Sequence, residues 1–182
     1  MIISLTGFMG CGKSSVGKKL SELLSCEFID LDSYIEDMAN MKIPEVFELY
    51  GEPGFREKEY DALSEIISEY KSGKNDGLTI LSLGGGTLTT GKCRKIVSTE
   101  TKCIYLKAQT DTLVRNLEKD YRKRPLISVS ASNIPELRQR ICSILKDRVG
   151  TYEACSCVTV ETDGKTVDEI ALDICNVITG II

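Results

Sequence analysis

The chain has 182 residues, 42% of them hydrophobic and 27% charged, with a formal net charge of −4. A chain of this size and balance fits an ordinary globular domain and can bury roughly 70% of its unfolded surface without disulfide or metal staples. Histidine and tryptophan are absent, which removes Ser-His-Asp and Cys-His nucleophile schemes, HExxH zinc sites and imidazole proton shuttles.

Short apolar runs alternate with helical patterns along nearly the whole chain, which predicts an α/β fold with a parallel sheet and helices on its faces. A first strand over Ile2 to Thr6 leads into a helix over Lys13 to Leu24, where Val16, Leu20, Leu23 and Leu24 fall close to one face. A second strand over Glu27 to Leu31 precedes helices over Ser33 to Met41, Ile43 to Tyr50 and Phe55 to Lys71. That insertion of about forty residues exceeds a simple crossover, so it is expected to do more than connect. A third strand over Leu78 to Leu83, a helix over Gly91 to Val97, a fourth strand over Lys102 to Leu106 and a helix over Thr110 to Glu118 follow. Lys119 to Ser132 is rich in charge and hydroxyls and poor in periodicity, and reads as a mobile loop. A helix over Asn133 to Gly150, with Pro135 near its tolerant start, a fifth strand over Ser156 to Glu161 and a helix over Thr166 to Ile178 complete the chain. Without repeats, low-complexity tracts or a long linker, residues 1–182 are expected to form one domain.

The eight cysteines are scattered, mostly in apolar stretches, and no CxxC occurs. They read as buried free thiols of a reducing compartment, and not as a zinc site. The start of the chain lacks a basic leader, and no stretch approaches 18 consecutive apolar residues, so a cytoplasmic protein with no membrane span is expected. The mildly acidic balance argues against a broad nucleic-acid surface.

Gly7-Phe8-Met9-Gly10-Cys11-Gly12-Lys13-Ser14 fits G-x-x-x-x-G-K-[ST] between the first strand and the first helix. In that context the glycines turn backbone N–H groups toward phosphate oxygens and the helix N-terminus adds its dipole. Lys13 would neutralise the β/γ-phosphates and Ser14 would ligate Mg²⁺. N-K-x-D is absent, and the one D-x-x-G, Asp147 to Gly150, ends a predicted helix, which argues against a GTPase. Motor-type ATPases carry an acid at the end of a core strand, whereas here the third strand runs into Gly84-Gly85-Gly86.

The second strand ends Ile29-Asp30-Leu31-Asp32, and two acids two residues apart point the same way from an extended strand. Asp30 could hold Mg²⁺ through water and Asp32 could orient or deprotonate an attacking hydroxyl; Asp32 could also cap the next helix. Arg56 and Glu59 share a helix face, either as an ordinary exposed pair or as an arginine fork for an anionic substrate steadied by a carboxylate. The run Gly84-Gly85-Gly86 permits close approach to a ligand or serves as a flexible turn. Arg122-Lys123-Arg124 is either a solvated charge run or part of a closing loop that stabilises the transferred group. Arg148 near a helix end suits the helix dipole.

In order and spacing these motifs resemble the shikimate kinase family over essentially the full chain: the loop Gly7 to Ser15, Asp30 and Asp32, the G-E-x-x-F-R-x-x-E of Gly51 to Glu59, Gly84-Gly85-Gly86, Arg124-Pro125-Leu126, and Arg148 with Tyr152. The resemblance implies a three-layer P-loop fold with a five-stranded parallel sheet in order 2-3-1-4-5. It implies transfer of the γ-phosphoryl group of ATP to the 3-hydroxyl of shikimate, in the pathway to chorismate and aromatic amino acids. It further implies ATP contacts from Gly10, Cys11, Gly12, Lys13, Ser14, Ser15, Arg115 and Arg124, with Lys13 and Arg124 stabilising the phosphoryl oxygens. Asp32 is then the candidate base, and Asp32, Arg56, Glu59, Gly84, Gly85, Gly86 and Arg148 are the shikimate site. Mg²⁺ falls to Ser14 and Asp30. The substrate-binding segment becomes about 32–72 and the lid about 119–132, in a monomer whose partners are small molecules, not nucleic acid or membrane. A proline that often packs on adenine after the fifth strand is missing from Thr162-Asp163-Gly164-Lys165. The alternatives are another small-molecule kinase, gluconate-kinase-like, or a catalytically silent nucleotide-binding module.

Overall fold

In the computed structural model, which describes residues 1–73, 77–118, 127 and 133–178, the apolar runs become strands Ile2–Thr6 (β1), Glu27–Asp30 (β2), Thr79–Ser82 (β3), Lys102–Lys107 (β4) and Val158–Glu161 (β5). All are parallel, in the order β2-β3-β1-β4-β5 expected from the resemblance. The central β1 is buried at every residue, with Ile3 and Leu5 in one core and Ile2 in the other. Covered faces on both sides explain why its sequence is a continuous apolar run and not an alternating one.

Helices Lys13–Leu24 (α1) and Val167–Ile178 (α7) pack against each other on one side of the sheet. Gly17 makes the approach of α1 possible, because a Cβ there would lie 2.6 Å from the Phe28 ring of β2. Leu31–Ala39 (α2), Ile43–Lys71 (α3), Gly91–Glu100 (α4) and the C-terminal part of Ile134–Cys155 (α6) cover the second core, which contains Leu31, Phe55, Leu63, Val97 and Tyr152. Thr110–Leu117 (α5) packs on the first half of α6.

Three expectations need correction. The second helix begins at Leu31, so Asp30 and Asp32 are not two residues of one strand; Asp30 is the N-cap and Asp32 lies in the first turn. The break expected between the helices over Ile43 to Tyr50 and Phe55 to Lys71 is present as a kink within α3 at Gly51, whose φ of 64° and ψ of −176° interrupt the helix close to Pro53. The helix through Arg148 runs on to Cys155, so Arg148 is not at its end. Of the eight cysteines, all free, only Cys11, Cys93 and Cys103 are buried, while Cys142 and Cys157 are exposed. The expected lid, with Arg122, Lys123 and Arg124, lies outside the described residues except for Ile127, which is buried in the core with Leu137 and Ile141. Among the described residues no helix is long and apolar enough to cross a membrane.

Candidate active site

The loop from β1 to α1 is shaped by its glycines. Gly10 and Gly12 adopt φ of 82° and 96°, a region that residues with a Cβ rarely occupy, and Gly12 is the N-cap of α1. Gly10 also has no room for a side chain, since a Cβ would lie 2.8 Å from Leu117 of α5. Asn116 of the same helix donates Nδ2–H to Gly10 O at 2.8 Å, so α5 clamps the loop from outside. Lys13 is buried and folds back over the loop, donating to Gly7 O at 3.0 Å and Phe8 O at 3.1 Å. The cation is thus held over the loop. Burial pushes the Cys11 thiol up, against the opposing influence of nearby Lys13, so the loop cysteine is a packing group.

Ser14 and Ser15 stand exposed on the first turn of α1. The Ser14 hydroxyl donates to Asp30 Oδ2 at 2.5 Å and lies 3.4 Å from Ser82 Oγ. The other oxygen of Asp30 accepts from the N–H groups of Asp32 at 3.1 Å and Ser33 at 3.2 Å, capping α2. In register, Asp30 of β2 pairs with Ser82 of β3, so the acid missing from the end of β3 is supplied by the neighbouring strand. Serine hydroxyl and carboxylate are hard oxygen donors that suit Mg²⁺.

On the far side of Gly84-Gly85-Gly86 stands the expected acceptor site. Arg56 and Glu59 are not an exposed pair: Nη1 donates to Glu59 Oε2 at 2.7 Å, and the two side chains are 10% and 0% exposed. Glu52 Oε1 accepts from Nη2 at 3.1 Å. Burial disfavours the guanidinium charge, but Glu59 and Glu52 outweigh it and push Arg56 upward. Its Nε is buried without a hydrogen-bond partner among the described residues, a donor left for something else to satisfy.

The absence of side chains on the glycine run brings these groups together. A Cβ on Gly84 would lie 2.9 Å from both Asp32 Oδ1 and Glu59 Oε1, and one on Gly85 would lie 3.0 Å from the backbone N of Met9 in the phosphate loop. A Cβ on Gly86 would collide with the Arg56 guanidinium. The run is therefore a thin wall between the loop and the arginine. Arg148 is buried and donates Nη1–H to Gly85 O at 3.0 Å, and Tyr152 donates its hydroxyl to the same oxygen at 2.5 Å.

A nucleoside triphosphate loop separated by three glycines from a buried guanidinium fits a small-molecule kinase, and comparison with known proteins narrows it. The profile of the shikimate kinase family matches residues 9–179. The chain belongs to the shikimate kinase family. A shikimate kinase of Dictyoglomus turgidum is 36% identical over 174 residues, 94% of each chain. Among solved structures, the shikimate kinase of Acinetobacter baumannii in complex with shikimate superposes with a TM-score of 0.86 at 31% identity, covering 98% of this chain and 93% of that one. The shikimate kinase of Bacteroides thetaiotaomicron gives 0.84 at 27% identity, covering 98% of both.

Within this family member, Asp30, Asp32, Arg56, Glu59, the glycine run and Arg148 converge with the phosphate loop on one edge of the sheet. Arg115 stands exposed on α5, hydrogen-bonded to Thr112 Oγ1 at 3.1 Å and next in sequence to the loop clamp Asn116. Asp163, in the segment that lacks the proline, accepts the Gln109 N–H with its two oxygens at 3.1 and 3.0 Å and ties the end of β5 to α5. Sequence reasoning missed Asn116 and Ser82, and quoted Tyr152 without a role. The signal for Tyr152 was its i, i+4 spacing from Arg148, which puts both on one helix face.

Proposed function

We propose that this chain transfers the γ-phosphoryl group of ATP to the 3-hydroxyl of shikimate, giving shikimate 3-phosphate and ADP. The observation that carries the reading is Arg56, nine-tenths buried, fixed by a wholly buried Glu59, and separated from the phosphate loop only by the glycine run. A buried guanidinium whose Nε has no partner among the described residues is suited to a carboxylate ligand, which would meet the charge. Arg148, held against Gly85 beside it, supplies the second cation of the acceptor site.

In this reading the amides of Gly10 to Ser15 and the Lys13 ammonium take the phosphates, so Lys13 must release Gly7 O and Phe8 O to reach them. Mg²⁺, held by Ser14 directly and by Asp30 through water, would neutralise charge on the β- and γ-phosphate oxygens. Asp32, carried by the first turn of α2 to the Gly84 edge, orients the acceptor hydroxyl in line with the γ-phosphate and takes its proton. Arg124 and Arg115 complete the charge around the nucleotide. The chain works as a single-domain monomer in the cytoplasm on small molecules, without nucleic acid or membrane.

The test is a coupled ADP-release assay with Mg²⁺ and ATP across shikimate, gluconate and nucleoside monophosphates. Saturable turnover on shikimate is expected. Faster turnover on gluconate, or none on any acceptor, overturns the reading in favour of a related kinase or a silent nucleotide-binding module.

A further inference from the structure

The carboxylate that holds Arg56 is itself held. Glu59 is 0% exposed and its oxygens are divided: Oε2 accepts from Arg56 Nη1 at 2.7 Å, and Oε1 accepts from Thr87 Oγ1 at 2.6 Å. Thr87 is also 0% exposed and opens the short 3-10 turn Thr87–Thr89 directly after the glycine run. Its own N–H donates to Gly84 O at 3.2 Å, so the turn folds back under that glycine. The bare Gly84 lets them meet, since a Cβ there would lie 2.9 Å from Glu59 Oε1 and 3.1 Å from Thr87 Oγ1.

A carboxylate removed from water needs a donor at each oxygen, and hydrogen bonds to an ionised group are the strong ones. With the threonine hydroxyl in place, Oε1 is satisfied and only Oε2 takes an N–H from Arg56, which leaves the Nη hydrogens not taken by Glu59 and Glu52 for another acceptor. Without the hydroxyl, Oε1 has lost its donor, and rotation of the carboxylate to take two guanidinium N–H groups becomes the favoured way to satisfy it. That rotation withdraws Arg56 from an incoming anion. The nucleotide side is insulated, because Gly85, not Gly84, abuts the phosphate loop.

We propose that Thr87 is a positioning residue for the acceptor: its hydroxyl fixes the Glu59 carboxylate, which fixes Arg56 for the carboxylate of shikimate. The inference rests on the function proposed above and adds to it a side chain that touches neither substrate.

The experiment compares the full chain with Thr87→Val, which keeps the branched shape and drops the hydroxyl, and Thr87→Ser, which keeps the hydroxyl. Kinetic constants for shikimate and ATP are measured by ADP release, and shikimate affinity by calorimetry without nucleotide. Thr87→Val is expected to raise the shikimate KM and Kd about tenfold or more, the fold-change of one lost hydrogen bond to a charged group. The ATP KM and the kcat at saturating shikimate are expected to stay within about twofold, the pattern of lost uniform binding. Thr87→Ser restores the shikimate constants. An unchanged shikimate KM in Thr87→Val, an equal loss in Thr87→Ser, or a parallel rise in the ATP KM overturns the proposal. If Thr87→Val does not fold, Thr87→Ala carries the same comparison with Thr87→Ser. A wild-type chain that neither binds shikimate nor turns it over overturns the proposed function and this inference together. A wild type that does both, beside a Thr87→Val variant with unchanged shikimate KM and Kd, overturns this inference alone.

Discussion

Tyr152 and Arg148, one turn apart on α6, donate to a single acceptor, the carbonyl of Gly85, at 2.5 and 3.0 Å. The helix is thereby fastened to the middle of the glycine run, and the Tyr152 ring is seated against Tyr105 with centroids 5.2 Å apart. Arg148 is buried, and without the tyrosine its position at the wall would depend on one hydrogen bond.

Tyr152→Phe tests that fastening. Burial pushes the Tyr152 hydroxyl up to about 12, with nearby Arg148 pulling the other way. An unfolded tyrosine ionises near 10. The sign follows: between about pH 10 and 12 the native state binds more protons than the unfolded one, so this contribution is complete below about pH 10 and lost as pH rises through 12. At neutral pH the phenylalanine variant is expected to be about 1 kcal/mol less stable, the net worth of a typical hydrogen bond. Urea midpoints at pH 8 and pH 11 should fall further in the wild type than in Tyr152→Phe. An equal fall in both would disconnect the tyrosine from the alkaline loss.

Asp32→Asn separates chemistry from positioning. Asp32 sits beside Gly84 on the first turn of a helix whose cap is Asp30, so the substitution leaves the cap intact. If the carboxylate takes the hydroxyl proton, kcat drops at least about a hundredfold, the lower end for general acid-base assistance. Melting temperature should change little. Turnover near the wild-type value would remove the base role and leave orientation.

Thiol accessibility should divide the eight cysteines as burial does. Cys142 and Cys157 are exposed, while burial pushes Cys103 up to about 12 and also raises Cys11 and Cys93. With an aromatic disulfide reagent at pH 8, mass mapping should find Cys142 and Cys157 modified in the fast phase. Cys11, Cys93 and Cys103 should react only with unfolding. Early modification of Cys11 would mean that the phosphate loop opens on the timescale of the reaction.

The sheet was legible because β1, β3 and β4 are apolar enough to be read as runs, and the phosphate loop because its glycines bracket a lysine between a strand and a helix. Helix boundaries were less so. Asp30 has the residue type of either a strand end or a cap, and only the hydrogen bonds from Asp32 and Ser33 decide between them. Charge spacing alone left an exposed Arg56–Glu59 pair and an arginine fork both open; what buries the pair is the approach of Gly84 and Gly86, residues distant in sequence and without side chains to signal contact. Thr87 carried no signal beyond its place after three glycines, since a threonine there is as suited to a solvated turn. The lid expectation falls on residues 119–132, of which only Ile127 is described.

Gly86→Ala would test the wall between the two substrates. Gly86 has φ of −114° and ψ of 0°, which alanine adopts without strain, so the substitution adds only a methyl group. That methyl is aimed at the Arg56 guanidinium, which is pinned by Glu59 and Glu52 and has little freedom to retreat. Arg56 must give way, so the shikimate KM should rise about tenfold or more, approaching that of Arg56→Ala, where a charge-assisted contact is lost outright. The ATP KM should stay close to wild type, because the phosphate loop meets Gly85 and not Gly86. Gly91→Ala is the control, since its Cβ would find its nearest neighbour, Arg94 Nη2, at an unstrained 3.7 Å. Equal effects of Gly86→Ala on the two substrates would mean that the glycine run moves as a unit and does not partition the site.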